Sequence, residues 1–244
     1  MFKSLFLKLT RSQFLKDNVS LFVGTLALSF FTFLFHFYAG RSLGPAGYGI
    51  LVAAITITYV INILFNAFQT NIAKIVSRYQ TKKELGKINY FLSYCLKSLF
   101  LSSFVLFIIF LLFIPVLSDF LHIAFVPLLL VSVVIFSSLL LPVIRGAFQG
   151  LQRFRPLGWN LLFEGIIKFG MGAILISLGF SVNGAIIAVV LSYLFPFFIG
   201  CFQMRNFIFG KKELFKPENI YVTSLPILIM LIGITLFYSV DVLL

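Results

Sequence analysis

The sequence is poor in charge. Asp, Glu, Lys and Arg make up 11% of its 244 residues, against about 25% in a soluble domain. Only seven residues are acidic. The two histidines, His36 and His122, stand far apart in the chain, which excludes a metal centre. The two cysteines, Cys95 and Cys201, fall near the ends of apolar stretches and form no CxxC or Cys/His cluster. That excludes a disulfide scaffold and leaves them as small buried hydrophobes. A GxxxxGK[ST] run is absent, so the chain hydrolyses no nucleotide through a P-loop of its own. No cofactor is expected. What the sequence has in excess is apolar surface: 61% hydrophobic residues, 33 of them Phe, and a mean hydropathy of +1.10. That is more than one soluble core of this size can bury. It excludes a soluble enzyme and a disordered chain, and a polytopic membrane protein remains.

A helix needs roughly 20 apolar residues to cross the hydrocarbon core. Seven stretches qualify: Asn18–Ala39, Gly49–Phe68, Phe91–Leu117, Ile123–Ile144, Leu157–Phe180, Val182–Met204 and Ile220–Leu244. Membrane barrels show shorter alternating segments instead, so the expected class is an all-α integral membrane helix bundle. Lys and Arg alternate between the connections: sixteen lie in the N-terminal tail and every second connection, and one, Arg41, in the others. By the positive-inside rule the N-terminus and the basic connections face the cytoplasm. The net charge of +12 therefore reflects topology, and nucleic acid is not an expected partner.

The expected organisation is a cytoplasmic segment over 1–17, a six-helix transmembrane lobe over 18–204, a basic cytoplasmic linker over 205–219 and a seventh transmembrane helix over 220–244. In the first segment Phe2, Leu5, Phe6 and Leu9 share one helical face. That reads as a short amphipathic helix on the membrane surface, not as a cleavable signal. The seventh stretch runs apolar to its end, so it is expected to open a second lobe that the sequence does not include.

Polar groups inside the spans carry the functional signal. Asn160, Glu164 and Lys168 are spaced by four and so share a helical face. Thr58, Asn62 and Asn66 repeat that spacing in the second span, with Gln69 continuing it, and Thr25, Ser29, Thr32 and His36 form a third seam. One seam commonly joins helices. Three, with an ionisable pair at depth, point to a hydrated central cavity. Pro115, Pro127, Pro142 and Pro196 lie in or near spans and can kink them. Asp241, deep in the seventh span, is an ion-coupling candidate alongside Glu164.

Four motifs resemble one family. The stretch Arg41-Ser42-Leu43-Gly44-Pro45-Ala46-Gly47-Tyr48-Gly49 is similar to the R-x-L-G-P-x-x-Y-G loop of Wzx-type oligosaccharide flippases. These belong to the polysaccharide transporter family, within the multidrug, oligosaccharidyl-lipid and polysaccharide exporters. Arg145-Gly146-Ala147-Phe148-Gln149-Gly150-Leu151-Gln152-Arg153-Phe154 resembles the family's R-G-x-x-Q-G-x-x-R-F cytoplasmic loop. Gly179 to Ala185 resembles its G-x-x-x-x-G-A turn, and Phe237 to Asp241 the aspartate-bearing start of its second lobe. The resemblance implies one lobe of a MATE-like flippase fold in the plasma membrane. It also implies alternating-access export of an undecaprenyl-diphosphate-linked oligosaccharide, with polysaccharide polymerase and glycosyltransferase partners. Lys168 would offset diphosphate charge in the cavity, and Arg145 and Arg153 would attract the anionic head at the cytoplasmic mouth or only set orientation. The alternatives are a drug/cation antiporter of the same broad fold, a non-transporting fragment, and a membrane enzyme. The short external connections, with Asp119 as their sole acid, disfavour the enzyme.

Overall fold

The computed structural model describes the backbone of residues 13–243 and the side chains of 18–59 and 61–235; the amphipathic segment expected at the N-terminus and the side chain of Asp241 lie outside these. The regular elements among the described residues are all helical: α1 (Gln13–Thr81), α2 (Leu85–Leu121), α3 (Phe125–Ser138), α4 (Leu141–Gly150), α5 (Phe154–Leu175), a π-helical turn (Ile176–Phe180), α6 (Ser181–Gln203), a short α7 (Arg205–Ile208) and α8 (Ile220–Leu243). Four runs are long and apolar enough to cross a membrane: Asn18–Thr81, Leu85–Leu121, Phe125–Gly150 and Phe154–Gln203. Ile220–Thr235 is a shorter apolar helix.

Two of those runs double back. α1 breaks at Gly44, whose φ of 69° and ψ of 176° are not helical. Glycine adopts that conformation without a Cβ penalty, and Pro45 cannot donate to the preceding turn. Along a straight helix the twelve residues from His36 to Tyr48 would span about 18 Å; here the Tyr48 hydroxyl lies 3.2 Å from His36 Nδ1. The second reversal follows the π-helical turn, with Gly179 at φ 89° and Ser181 at φ 51°. Asn160 Nδ2 can then donate to the Pro196 carbonyl at 2.7 Å, 36 residues along the chain.

Several expected boundaries are corrected. The connection expected over Gln69–Tyr90 is mostly helix, since α1 continues to Thr81 and α2 starts at Leu85; residues 69–81 contain no Gly or Pro to stop it. The turn closes with Lys83 at positive φ and Glu84 N–H donating to the Tyr79 carbonyl at 3.0 Å, a Schellman-type cap. The connection expected over Arg145–Pro156 shrinks to a similar cap, with Gln152 at positive φ and Arg153 N–H donating to Phe148 at 2.8 Å. Conversely, the span expected over Ile123–Ile144 divides into α3 and α4, because Pro142 near the start of α4 supplies no N–H to the preceding turn.

Small residues bring the helices together. On α5, Gly158, Gly165 and Gly172 recur every seven residues and all face the first arm of α1. A Cβ on Gly24 would lie 2.7 Å from the Gly158 Cα, one on Gly165 3.1 Å from the Leu28 Cα, and one on Gly172 2.7 Å from the Phe35 ring. On α4, Gly146 and Gly150 meet Ile72 and Val76 of the second arm in the same way. Without a hydrophobic force between helices in lipid, such close backbone approach supplies the packing energy. Phe100, Leu101, Phe104, Leu112 and Phe113 of α2 stay exposed, as a lipid-facing helix requires. At one end the linker after α7 crosses the bundle. Arg78 pairs with Glu218, Asn89 Nδ2 donates to the Lys211 carbonyl, and buried Asn71 bonds Thr223 and Ser224 of α8.

Gly158→Leu should destabilise the bundle by about 1–3 kcal/mol through overpacking. Gly170→Leu, at a position with no atom near its Cβ, should change little. Thermal unfolding of the detergent-solubilised variants compares the two.

Candidate functional site

The carboxylate of Glu164 sits ten residues into α5, about 15 Å from that helix's start, and is 5% exposed. It lies between two cations. Arg145 of α4 reaches it through an NH2–Oε2 contact of 2.5 Å, while Lys168 Nζ stands 3.8 Å from the other oxygen. The guanidinium also donates from Nε to Asn160 Oδ1 at 2.9 Å. Asn160 Nδ2 in turn donates to Pro196 of α6. One asparagine and one arginine thus tie α4, α5 and α6 around a single carboxylate.

The sequence spacing placed Asn160, Glu164 and Lys168 on one face, and the structure brings all three together. Arg145 is the correction. It is not a loop residue at the bundle's mouth: α4 carries it inside, with 12% of its side chain exposed, and it is Glu164's nearer partner. Its position follows from its neighbour, since Gly146 lets α4 lie directly on α1 and so fixes the register of the arginine. Arg153 is exposed, with its guanidinium 4.9 Å above the Phe207 ring.

The other seams contribute unequally. Asn62 lies close to Tyr193 of α6, whose phenol is within electrostatic reach of both Glu164 and Arg145. His36 is within electrostatic reach of Lys168. Thr58 is buried, but its hydroxyl donates to the Ile55 carbonyl of its own helix at 2.6 Å, and Asn66, Thr25 and Ser29 are exposed. The site therefore has a buried floor, Asn160 and Glu164 at 1% and 4% exposure, and a half-buried rim of His36, Asn62, Arg145, Lys168 and Tyr193, with the Arg145 and Lys168 side chains 12% and 13% exposed. Of the three α5 residues expected to face a cavity, Asn160 and Glu164 are buried and Lys168 is half-buried. Tyr193 escaped the sequence reading, because nothing in the spacing on α6 marks it. Cys95 is buried and Cys201 half-buried, both as free thiols.

With Glu164 ionised, the cluster of two cations and one anion carries a net +1. No group of three or more metal-ligating side chains occurs among the described residues.

No protein-family model and no curated protein matches the chain. Solved structures do. A transporter of the MOP superfamily from Pyrococcus furiosus, described as having a binding pocket of reverse polarity that suggests a different function, superposes with a TM-score of 0.68 at 15% identity. A multidrug-resistance transporter of the MATE family, of the same superfamily and in an outward-facing conformation, superposes with a TM-score of 0.62 at 14% identity. The chain has the fold of half an MOP-superfamily transporter. In both matches 92% of this chain is covered and 54% of the other, so it spans about half the length of the structures it resembles.

Removing Arg145 strands a buried carboxylate, so Arg145→Met should cost about 3–5 kcal/mol of stability. Lys168→Met, whose ammonium stands farther from Glu164, should cost clearly less. Equal losses in detergent unfolding would contradict the assignment of Arg145 as the principal partner.

Proposed function

We propose that the chain forms one lobe of a membrane transporter that moves an anionic, lipid-linked oligosaccharide between leaflets by alternating access. The observation that carries this reading is the surplus positive charge in the bundle. In this reading the two doubled-back runs cross the bilayer twice each, giving six crossings with α2 and the α3–α4 run, and α8 begins the second half. The N-terminus and the basic turns face the cytoplasm of a plasma membrane. The cluster is the substrate's diphosphate site.

The physical requirement is plain. A sugar and a diphosphate cannot cross hydrocarbon unaided, and an unbalanced cation at depth is costly unless an anion joins it. Arg145 is held by Glu164 and Asn160, which leaves Lys168 on the rim to meet the phosphate as a flexible point charge. His36, Asn62 and Tyr193 add hydrogen-bonding groups for sugar hydroxyls. A cationic drug would meet the same surplus charge as repulsion, which sets this reading above drug/cation antiport. Glu164 also offers a route to coupling: a proton on it raises the cluster from +1 to +2 and strengthens the hold on an anion. Asp241 is a second coupling candidate by its depth in α8.

The test is binding by the full chain in nanodiscs. An undecaprenyl-diphosphate-linked oligosaccharide should bind saturably. Lys168→Gln should weaken it about tenfold, or about 1.4 kcal/mol. Glu164→Gln, which removes the negative charge, should tighten it, with unfolding measured alongside. Saturable binding of a cationic dye, with none of the diphosphate lipid, would overturn the proposal.

A further inference from the structure

Of the nineteen basic residues, two fall inside the spans expected from the sequence: Lys168 and Lys97. Lys97 belongs to no part of the site above. It lies on the outer side of α2, on a stripe that repeats at helical spacing: Tyr90, Ser93, Tyr94, Lys97 and Ser98. Together with Lys212 from the linker, these residues line a cavity of about 440 Å³. Among the described residues no carboxylate lies within 4 Å of either lysine's ammonium group. The two serine hydroxyls are already engaged. Ser93 donates to Ile208, and Ser98 shares a hydrogen bond with Tyr221, so the two ammonium groups, beside the Tyr90 and Tyr94 hydroxyls, are the charged donors left for a ligand.

Two apolar grooves begin where this polar cavity ends. One, of about 430 Å³, runs between Leu64, Phe68, Val105 and Tyr221. The other, of about 620 Å³, runs between Phe100, Leu140, Phe197 and Phe209, with Lys97 at its edge. Leu101 belongs to all three. Each volume falls in the range of about 300–1,000 Å³ typical of small-molecule sites. A doubly charged polar chamber that opens onto two separate apolar channels matches one kind of molecule, an anionic head carrying two acyl chains. Its position also fits. Tyrosines concentrate where the bilayer meets water, a lysine at that depth extends its ammonium toward the interface along its apolar stem, and this end of the bundle carries Lys82, Lys83, Lys87 and Lys211. Basic pockets between helices hold anionic headgroups in this setting.

We propose that Lys97 and Lys212 bind the phosphate head of an anionic bilayer phospholipid whose two acyl chains lie in the grooves on either side of Leu101. This site is separate from the Arg145–Glu164–Lys168 cluster, and the proposal does not depend on what that cluster carries. Because Lys212 comes from the linker and Lys97 from α2, the bound lipid also fastens the linker to the bundle.

Native mass spectrometry of the full chain, released from nanodiscs of mixed lipid, tests it. Phosphatidylglycerol should be retained at least tenfold over phosphatidylcholine of the same chain length, and single-chain lysophosphatidylglycerol less well than the two-chain lipid. The Lys97→Gln/Lys212→Gln double variant should lose the preference, and Lys97→Arg/Lys212→Arg should keep it. Millimolar inorganic phosphate should not displace the lipid. Equal retention of the two headgroups by the wild-type chain would overturn the proposal, whether or not the variants fold. So would an undiminished preference in a folded glutamine variant, or displacement by phosphate alone.

Discussion

Drawing Arg145 and Glu164 out of water costs several kcal/mol for each ion, and their attraction recovers that only with good geometry and further hydrogen bonds. The bundle supplies both. The short Arg145–Glu164 contact is joined by the Arg145–Asn160 bond, and Asn160 is held by Pro196. Every link in that chain crosses between helices. A displacement of α4 along α5 by one turn, about 5.4 Å, would break two of them and leave a charge exposed to hydrocarbon. The ion pair thus fixes the relative register of three helices, which dispersion forces between smooth apolar faces cannot do.

That geometry is reachable only because the backbones lie close. Gly146 and Gly150 seat α4 on the second arm of α1, and the seven-residue glycine repeat seats α5 on the first arm. The residue beside Gly146 is Arg145, and Glu164 precedes Gly165. The charged side chains therefore leave their helices next to points of close contact with α1. This gives a physical account of the stretch that resembles a flippase loop: its glycines are packing surfaces and its first arginine is an interior charge.

Much of the architecture was legible in the sequence. Composition and span length gave a helical membrane bundle, and the two reversals fall at Gly44–Pro45 and Gly179, where the sequence carried its clearest turn chemistry. The face shared by Asn160, Glu164 and Lys168 followed from spacing alone. The partner of Glu164 did not. The fourth expected span ended at Ile144, where the apolar run gives way to Arg145-Gly146, and so left Arg145 in a connection although the helix continues for five more residues. The long polar connection over Gln69–Tyr90 misled in the same way, since helices extend beyond the hydrocarbon wherever no Gly or Pro stops them. The polar seams also promised more than they hold. Thr25 and Thr58 return their hydroxyls to their own helices, as buried Ser132, Ser137, Ser138 and Ser192 do. Such hydroxyls are satisfied locally and mark no cavity, whereas amide and ionisable groups need partners from other helices and so report real proximity.

The sign of the buried charge separates a stabilising device from a working one. A buried ion pair is weak evidence for stability, because apolar side chains of equal volume often pack as well or better. Here one carboxylate faces two cations, so no arrangement of the three neutralises the cluster while Glu164 is ionised. Arg145 is fixed by Glu164 and Asn160, and the surplus falls on Lys168, which stands 3.8 Å from the carboxylate. A structural pair would gain nothing from that surplus. The proposed anion site would require it, with the arginine kept in place by its own carboxylate so that the charge stays in position when the anion leaves.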